Sequence, residues 1–232
     1  MDATFVGHPL ADLPAPSISR AEYAAKYSLD PQKPWIALMP GSRVKEVRMN
    51  LPVIVETAVA LGAGYEFLLP VAATLDRHFL QSMIGQASIR MVDEALPALF
   101  HSRAGIIASG TATVEAAMMG TPFVMVYRVS PLTYWLGKPR VKVPYFAMVN
   151  LIAGRQVVPE LVQDDFSSGK VLSQLRPLLE DGPARREMVK GLAEVKAKLQ
   201  GPGRGKVQAT ERAAEAILRM LSTQAGEGAV GT

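Results

Sequence analysis

Up to residue 127 the sequence alternates between short apolar runs and longer segments whose apolar residues recur with helical spacing, and this alternation constrains the fold most strongly. Because each run is apolar on both faces, helices are expected to cover both faces of a parallel sheet. Right-handed crossovers then predict an α/β fold with a doubly wound, Rossmann-like parallel sheet. The candidate strands are residues 35–39, 65–69, 89–92, 105–108 and 122–127.

Helical patterns surround these strands and dominate beyond residue 130. The predicted helices are residues 17–27 (with Ser17 or Ser19 as the cap), 47–61, 74–86, 96–102, 111–119, 166–179, 183–199 and 210–221. We therefore expect a Rossmann-like lobe over residues 1–165 and a helical segment over 166–222 that packs on this lobe or crosses from it. A small, polar end predicts a disordered tail over 223–232.

The composition argues against several kinds of site. The chain has no cysteine, which excludes disulfides and thiolate metal sites. His8, His78 and His101 lack the spacing of metal ligands, so no metal and no cofactor is expected. A net charge of +4 gives no reason to expect nucleic acid. We recognise no signal peptide and no run of about 18 apolar residues, the length that a membrane-spanning helix needs.

Two strand-to-helix loops are candidate ligand sites. The first holds Gly41, Ser42 and Arg43, where a tight turn, free amides at the helix start and a guanidinium suit a phosphate. The alternative is an ordinary helix start with a solvated arginine. Both interpretations stay open, because Gly-Ser turns are common.

The second loop runs over residues 109–115, and its small residues leave the helix start open to an anion. A capping box for Glu115 would need Ser or Thr at position 112, which is alanine. The Glu115 carboxylate is therefore available to accept hydrogen bonds from the adjacent hydroxyls of a ribose. The alternative is a first-turn glutamate that only favours the helix dipole.

No acidic residue occurs between Glu115 and Glu160. Aromatic residues interleave with basic ones in this stretch, as expected of a surface at the level of lipid headgroups; a buried helix with a solvated basic rim is the alternative. These residues are Tyr134, Trp135, Tyr145 and Phe146 with Arg128, Lys138, Arg140, Lys142 and Arg155. Asn150 is an isolated amide in an apolar run and is interpreted as a helix cap or a ligand contact.

Together these segments resemble the lipid-A-disaccharide synthase family over nearly the whole chain, to about residue 221. The specific matches are Tyr-Arg-Val-Ser-Pro-Leu-Thr-Tyr-Trp at 127–135 and Asn-Leu-Ile-Ala-Gly-Arg at 150–155. Residues 5–10, 40–43 with Glu46, 108–115 and 158–161 match as well. One departure is Val149, where the family more often has proline before the asparagine.

The resemblance implies one lobe of a GT-B glycosyltransferase, in which two Rossmann-like lobes face a cleft. The implied reaction transfers diacylglucosamine from UDP-2,3-diacylglucosamine to 2,3-diacylglucosamine 1-phosphate and gives the lipid A disaccharide and UDP. No metal is required in this kind of fold, because basic groups and helix N-termini stabilise the departing diphosphate. The expected substrate-binding residues are Gly41, Ser42, Arg43, Ser109, Gly110, Thr111, Thr113, Glu115 and Asn150.

The chain begins where the family's second lobe begins. We therefore expect the general base in a first lobe, no catalytic residue here, and no activity from this chain alone. The resemblance places the protein peripherally on the cytoplasmic face of the inner membrane and leaves the oligomeric state, including a homodimer, open. The alternatives are another UDP-sugar enzyme of the same fold, such as a UDP-GlcNAc epimerase or a peptidoglycan glycosyltransferase, and a non-catalytic UDP-sugar-binding module.

Overall fold

The computed structural model of the chain describes residues 6–129, 144–200 and 209–227. Its centre is a sheet of six parallel strands in the order β3-β2-β1-β4-β5-β6. The strands are β1 Trp35–Met39, β2 Glu66–Pro70, β3 Ile89–Val92, β4 Ala104–Ala108, β5 Phe123–Tyr127 and β6 Glu160–Val162. The doubly wound fold class is confirmed. The sequence patterns revealed five of these strands, and β6 was missed because three residues are too few to show a period.

The helices lie close to the predicted positions in the sequence, except for the helix over residues 148–153, which was not predicted. They are α1 Arg20–Tyr27, α2 Val44–Leu61, α3 Arg77–Ile84, α4 Ala95–His101, α5 Thr111–Met119, α6 Met148–Ala153, α7 Ser168–Leu179, α8 Pro183–Gln200 and α9 Ala209–Glu227. Ser19 caps α1 in a capping box with Glu22, which resolves the choice between the two serines.

The chain forms two compact units, one of residues 15–195 and one of residues 1–14 with 196–232. In the smaller unit, Arg212 Nε donates to the Val6 carbonyl at 2.7 Å and the Ala209 amide donates to Asp12 at 2.7 Å. The division at residue 165 stays a prediction. α9 continues to Glu227, and the disordered tail over 223–232 stays a prediction. Residues 228–232 lie outside the described residues.

The larger unit holds the sheet and its core. All five residues of β4 are buried, and Trp35, Ile36, Ala37 and Leu38 of β1 have no exposed surface, as expected of central strands covered on both faces. β1 and β4 are neighbours, although β2, α2, β3 and their connections separate them in sequence. The chain thus leaves β1 toward one edge of the sheet and returns at β4 toward the other. Open α/β sheets form a ligand crevice at such a reversal.

Candidate functional site

A cleft of about 430 Å³ lies at the carboxyl ends of β1, β2 and β4. It brings together the two loops that the sequence singled out, residues 40–43 and 109–112, with Glu46 and Glu115 from the helices that follow them. The end of β2 and the residues that follow it, Pro70 to Ala72, form another wall. This volume is in the usual range for small-molecule sites.

The loop after β1 is closed by its own glutamate. Glu46 Oε2 accepts hydrogen bonds from the amides of Ser42 at 3.1 Å and Arg43 at 3.4 Å, and Glu46 Oε1 lies 3.1 Å from Arg43 Nη1. The expectation that these amides are free is wrong, because a carboxylate three residues into the helix reaches back over them. Gly41 has φ of +116°, and a Cβ there would lie 2.7 Å from Glu46 Cβ, so glycine is required for this arrangement.

Asn50, which the sequence analysis did not single out, supports this loop from below. Its Nδ2 donates to the Pro40 carbonyl at 2.9 Å, and 1% of the residue is exposed. Its Oδ1 has no hydrogen-bond partner among the described residues. Thr74 fixes the opposite end of the loop by donating to the Ser42 carbonyl at 2.5 Å. The sequence did contain a signal for Asn50: it is a polar residue directly before Leu51, on the face of α2 that is buried.

The loop after β4 leaves its helix start open. α5 begins at Thr111 with no side-chain cap, and Gly110, Thr111 and Ala112 line the cleft at this start. Gly110 adopts φ of +143°, a conformation that favours glycine. Thr113 is buried and donates to the Gly110 carbonyl at 2.8 Å, so the structure gives its hydroxyl a role inside the loop and places it outside the cleft lining.

Glu115 is half-buried in the wall of the cleft. Within the described part of the chain, its carboxylate makes no hydrogen bond and no ion pair. Burial removes water from this group and raises the pKa of its carboxyl. An unpartnered acid with a perturbed pKa in a cleft is typical of a binding site.

Asn150 lies within α6 and is fully buried, so it is not the helix cap that the sequence suggested. Its Oδ1 accepts from the amides of Val157 at 2.7 Å and Val158 at 3.0 Å. Its Nδ2 donates to the Val158 carbonyl at 2.9 Å and to Glu160 Oε1 at 2.7 Å. These four bonds use the full capacity of the amide, and Asn150 does not line the cleft. Its predicted contact with the donor stays untested, and this geometry favours a role in holding the backbone.

The two basic residues of this stretch that the structure describes, Arg128 and Arg155, both have partners within the protein. Arg128 Nη2 donates to the carbonyls of Gln163, at 3.2 Å, and Phe166, and its guanidinium lies 5.0 Å from the Phe166 ring centroid. Arg155 pairs with Glu194 at 2.7 Å. Five further members of the predicted surface, Tyr134, Trp135, Lys138, Arg140 and Lys142, lie outside the described residues.

Asp93 at the end of β3 also lines the cleft and was missed by the sequence analysis. It pairs with Arg77 and accepts from the Tyr27 hydroxyl at 3.2 Å. The lining residues thus include three carboxylates: Glu46 and Asp93 have cationic partners, and Glu115 has none within the described part of the chain. No group of three potential metal ligands occurs among the described residues.

Comparison with known proteins gives consistent matches. A family model for lipid-A-disaccharide synthetase matches residues 1–217. The lipid-A-disaccharide synthase of Koribacter versatilis is 49% identical over 222 residues, covering 94% of this chain and 58% of that protein. The enzyme of Acidobacterium capsulatum is 46% identical over 235 residues, with 94% and 59% covered. The chain thus spans about three fifths of the length of these relatives.

Solved structures show the same fold at low sequence identity. The calicheamicin glycosyltransferase CalG4 superimposes with a TM-score of 0.52 at 15% identity, covering 88% of this chain and 46% of CalG4. The ADP-heptose heptosyltransferase II of E. coli gives a TM-score of 0.52 at 19% identity, covering 72% of this chain and 56% of that enzyme. The described chain therefore has the fold of about half of a two-lobed glycosyltransferase.

Proposed function

The chain belongs to the lipid-A-disaccharide synthase family, and we propose that it forms the lobe that binds the nucleotide-sugar donor of such an enzyme. The donor is UDP-2,3-diacylglucosamine, the acceptor is 2,3-diacylglucosamine 1-phosphate, and the products are the lipid A disaccharide and UDP. We assign no general base to a residue of this chain. Its role is to bind the UDP group and to stabilise the diphosphate as it departs.

The unpartnered carboxylate of Glu115 is the observation that carries this proposal. A half-buried acid without a partner is unfavourable, because burial penalises its charged form. A ribose offers two adjacent hydroxyl donors, and hydrogen bonds to a carboxylate are about twice as strong as neutral ones. Ligand binding would thus supply the partners that Glu115 lacks among the described residues.

The diphosphate is assigned to the space between the two loops. The uncapped start of α5 presents amides and the positive end of a helix dipole. Arg43, with 82% of its side chain exposed, is the cationic residue of the cleft lining that is free to turn toward a phosphate. The Glu46 carboxylate now bound to Arg43 must share or yield this partner.

Titration calorimetry with UDP on wild type and Glu115→Ala tests the proposal. The variant should bind UDP more weakly by about 1.5–3 kcal/mol, because a charge-assisted hydrogen-bonding group is lost. Glu56→Ala is the matched control, since Glu56 is exposed on α2 and does not line the cleft. A folded Glu115→Ala variant with wild-type affinity would show that Glu115 does not contact the nucleotide.

We also propose that residues 127–146 dock the protein on the cytoplasmic face of the inner membrane, where acylated substrates reside. None of the described helices is long and apolar enough to span a bilayer. Phe146, at the end of this stretch, is 37% exposed, whereas Arg128 is held by backbone carbonyls. The docking charge is therefore assigned to Lys138, Arg140 and Lys142, at about 1 kcal/mol each near an anionic surface.

Co-sedimentation with anionic vesicles tests this docking surface. Wild type should bind at low salt and release at high salt, because the attraction is screened over about 8 Å at physiological ionic strength. A Lys138/Arg140/Lys142→Ser triple variant should bind less at low salt. Equal binding of the two proteins would assign docking to another surface.

A further inference from the structure

Glu160, at the start of β6, concentrates three hydrogen bonds on one carboxylate. Its Oε2 accepts from the Phe146 amide at 2.9 Å. Its Oε1 accepts from the Ala147 amide at 2.9 Å and from Asn150 Nδ2 at 2.7 Å. Ala147 is the N-cap residue of α6, so the carboxylate of Glu160, on β6, stabilises the start of this short helix. All three partners are donors, and the two oxygens of the carboxylate have lone pairs for all of them.

The peptide unit between Phe146 and Ala147 is held from both sides. Its N–H, on Ala147, donates to Glu160 Oε1 at 2.9 Å, and its carbonyl, on Phe146, accepts a hydrogen bond from Ser109 Oγ at 2.9 Å. Ser109 lies in the open loop after β4 and lines the cleft. A continuous path of hydrogen bonds therefore runs from Asn150 through Glu160 and Phe146 to the candidate donor site.

This path fixes the polarity of the Ser109 hydroxyl. A backbone carbonyl can only accept a hydrogen bond, so the Ser109 hydroxyl donates its single proton to the Phe146 carbonyl. The oxygen then presents only lone pairs to the cleft. Such an oxygen favours a hydroxyl donor of a ligand and disfavours a phosphate oxygen, which would offer another acceptor.

We propose that Glu160 is a positioning residue that, through Phe146, sets the Ser109 hydroxyl as a hydrogen-bond acceptor for the ribose of the donor; this rests on the function proposed above. Hydrogen bonds in a chain polarise one another, so the Glu160 carboxylate, which accepts from the Ala147 N–H, reinforces the bond that Ser109 donates to the carbonyl of the same peptide unit. Ser109 and Glu115 thereby form a subsite that accepts hydrogen bonds, and the phosphates are left to Arg43 and the start of α5.

Glu160→Gln is the primary variant. Glutamine has nearly the same shape, but its NH₂ group faces a backbone amide or the Asn150 amide and cannot accept from it. The probes are UDP and its 2′,3′-dideoxy analogue, which keeps the base and both phosphates but lacks the ribose hydroxyls. Glu194→Gln is the matched control, because Glu194 is a half-exposed carboxylate paired with Arg155.

The expected result is a selective loss. Wild type should prefer UDP over the dideoxy analogue. Glu160→Gln should lose about tenfold in UDP affinity and bind the analogue as wild type does. Ser109→Ala should show the same selective loss, and the double variant should lose little more than either single variant, because both act along one path. If Glu160→Gln does not fold, Glu160→Asp, which keeps the charge but shortens its reach, should give the same selectivity change.

Two outcomes overturn the inference in distinguishable ways. A folded Glu160→Gln or Glu160→Asp variant that keeps the wild-type preference for UDP would overturn the role of Glu160 and leave the proposed function intact. Equal weakening for both probes would also overturn it, since that result indicates a general loss of structure. If wild type itself bound UDP and the dideoxy analogue equally, ribose recognition would fail, and this inference would fail with it.

Discussion

The loops after β1 and β4 face the same cleft, but they differ in the hydrogen bonding at the start of the helix that follows each of them. In the β1 loop, Glu46 covers the amides of Ser42 and Arg43 and pairs with the Arg43 guanidinium. In the β4 loop, α5 starts without a side-chain cap, and the half-buried Glu115 has no partner among the described residues. One helix start thus carries an internal anion, whereas the other is left for a ligand.

This difference between the two loops predicts that one contributes to the stability of the fold and the other to ligand binding. A helix start that is satisfied internally contributes to folding whether or not a ligand is present. An open helix start and an acid without a partner among the described residues contribute little to folding, and a bound ligand would supply their partners. We therefore expect substitutions in the β1 loop to affect the free energy of unfolding and those in the β4 loop to affect nucleotide affinity.

Glu115→Gln should give the largest effect and the clearest separation. It should lower UDP affinity by at least about tenfold, because the charge that accepts the ribose hydroxyls is lost. It should also raise the melting temperature at neutral pH, because glutamine removes a buried charge without adding volume. Calorimetry and thermal unfolding measure the two quantities. A variant that loses affinity and melts earlier would assign Glu115 a structural role instead.

The stability gain from Glu115→Gln should depend on pH. Burial raises the pKa of Glu115, so the folded chain holds this proton at higher pH than the unfolded chain does. The stabilising contribution of the protonated acid is present below the ordinary carboxyl pKa, is lost as pH rises to the raised folded pKa, and stays lost above it. Above the raised pKa, the variant should have a higher melting temperature than wild type. Below the ordinary carboxyl pKa, the two melting temperatures should converge.

The sequence predicted the fold and the two loops well, because both follow from local patterns. Buried strands are visible as apolar runs, and parallel strands place their following loops at one edge of the sheet. The strand order could then only be proposed by analogy with doubly wound folds. β6 escaped detection since its pairing with β5, at Met125 with Glu160, is a tertiary contact rather than a sequence period.

The partners of the candidate residues could not be predicted from sequence. Glu46 was singled out only as part of the family resemblance, and its reach back over Ser42 and Arg43 depends on the φ of +116° at Gly41. Asn150 looked like a lone amide, and only the return of the chain at Val157 and Glu160 saturates it. Polar residues thus indicated where a candidate site lies, and their competition for hydrogen bonds appeared only in three dimensions.

Arg43→Ala tests whether the closed loop also contributes to binding. Because 82% of the side chain is exposed, melting should change by no more than the effect of about 0.5 kcal/mol typical of surface sites. UDP affinity should fall about fivefold, since a phosphate loses a cationic partner. Arg48→Ala, an exposed arginine on the same helix, is the control. Earlier melting with unchanged affinity would limit the role of Arg43 to holding Glu46.

Glu46→Gln should give the smallest change in affinity, and its sign decides how the two loops divide the ligand. The glutamine can still accept from one amide, so the free energy of unfolding should fall by about 1 kcal/mol, the usual value of a helix cap. UDP affinity should rise about threefold, because the carboxylate no longer repels the diphosphate or competes for Arg43. The gain should vanish in an Arg43→Ala background, since the partner released by the substitution is then missing.

Unchanged affinity with lowered stability would mean that the β1 loop does not touch the diphosphate and that the open start of α5 binds it alone. Reduced affinity would instead mean that the closed form of the β1 loop is the one that the nucleotide recognises, and the contrast between the two loops would lie in their rigidity rather than in their free hydrogen-bonding groups.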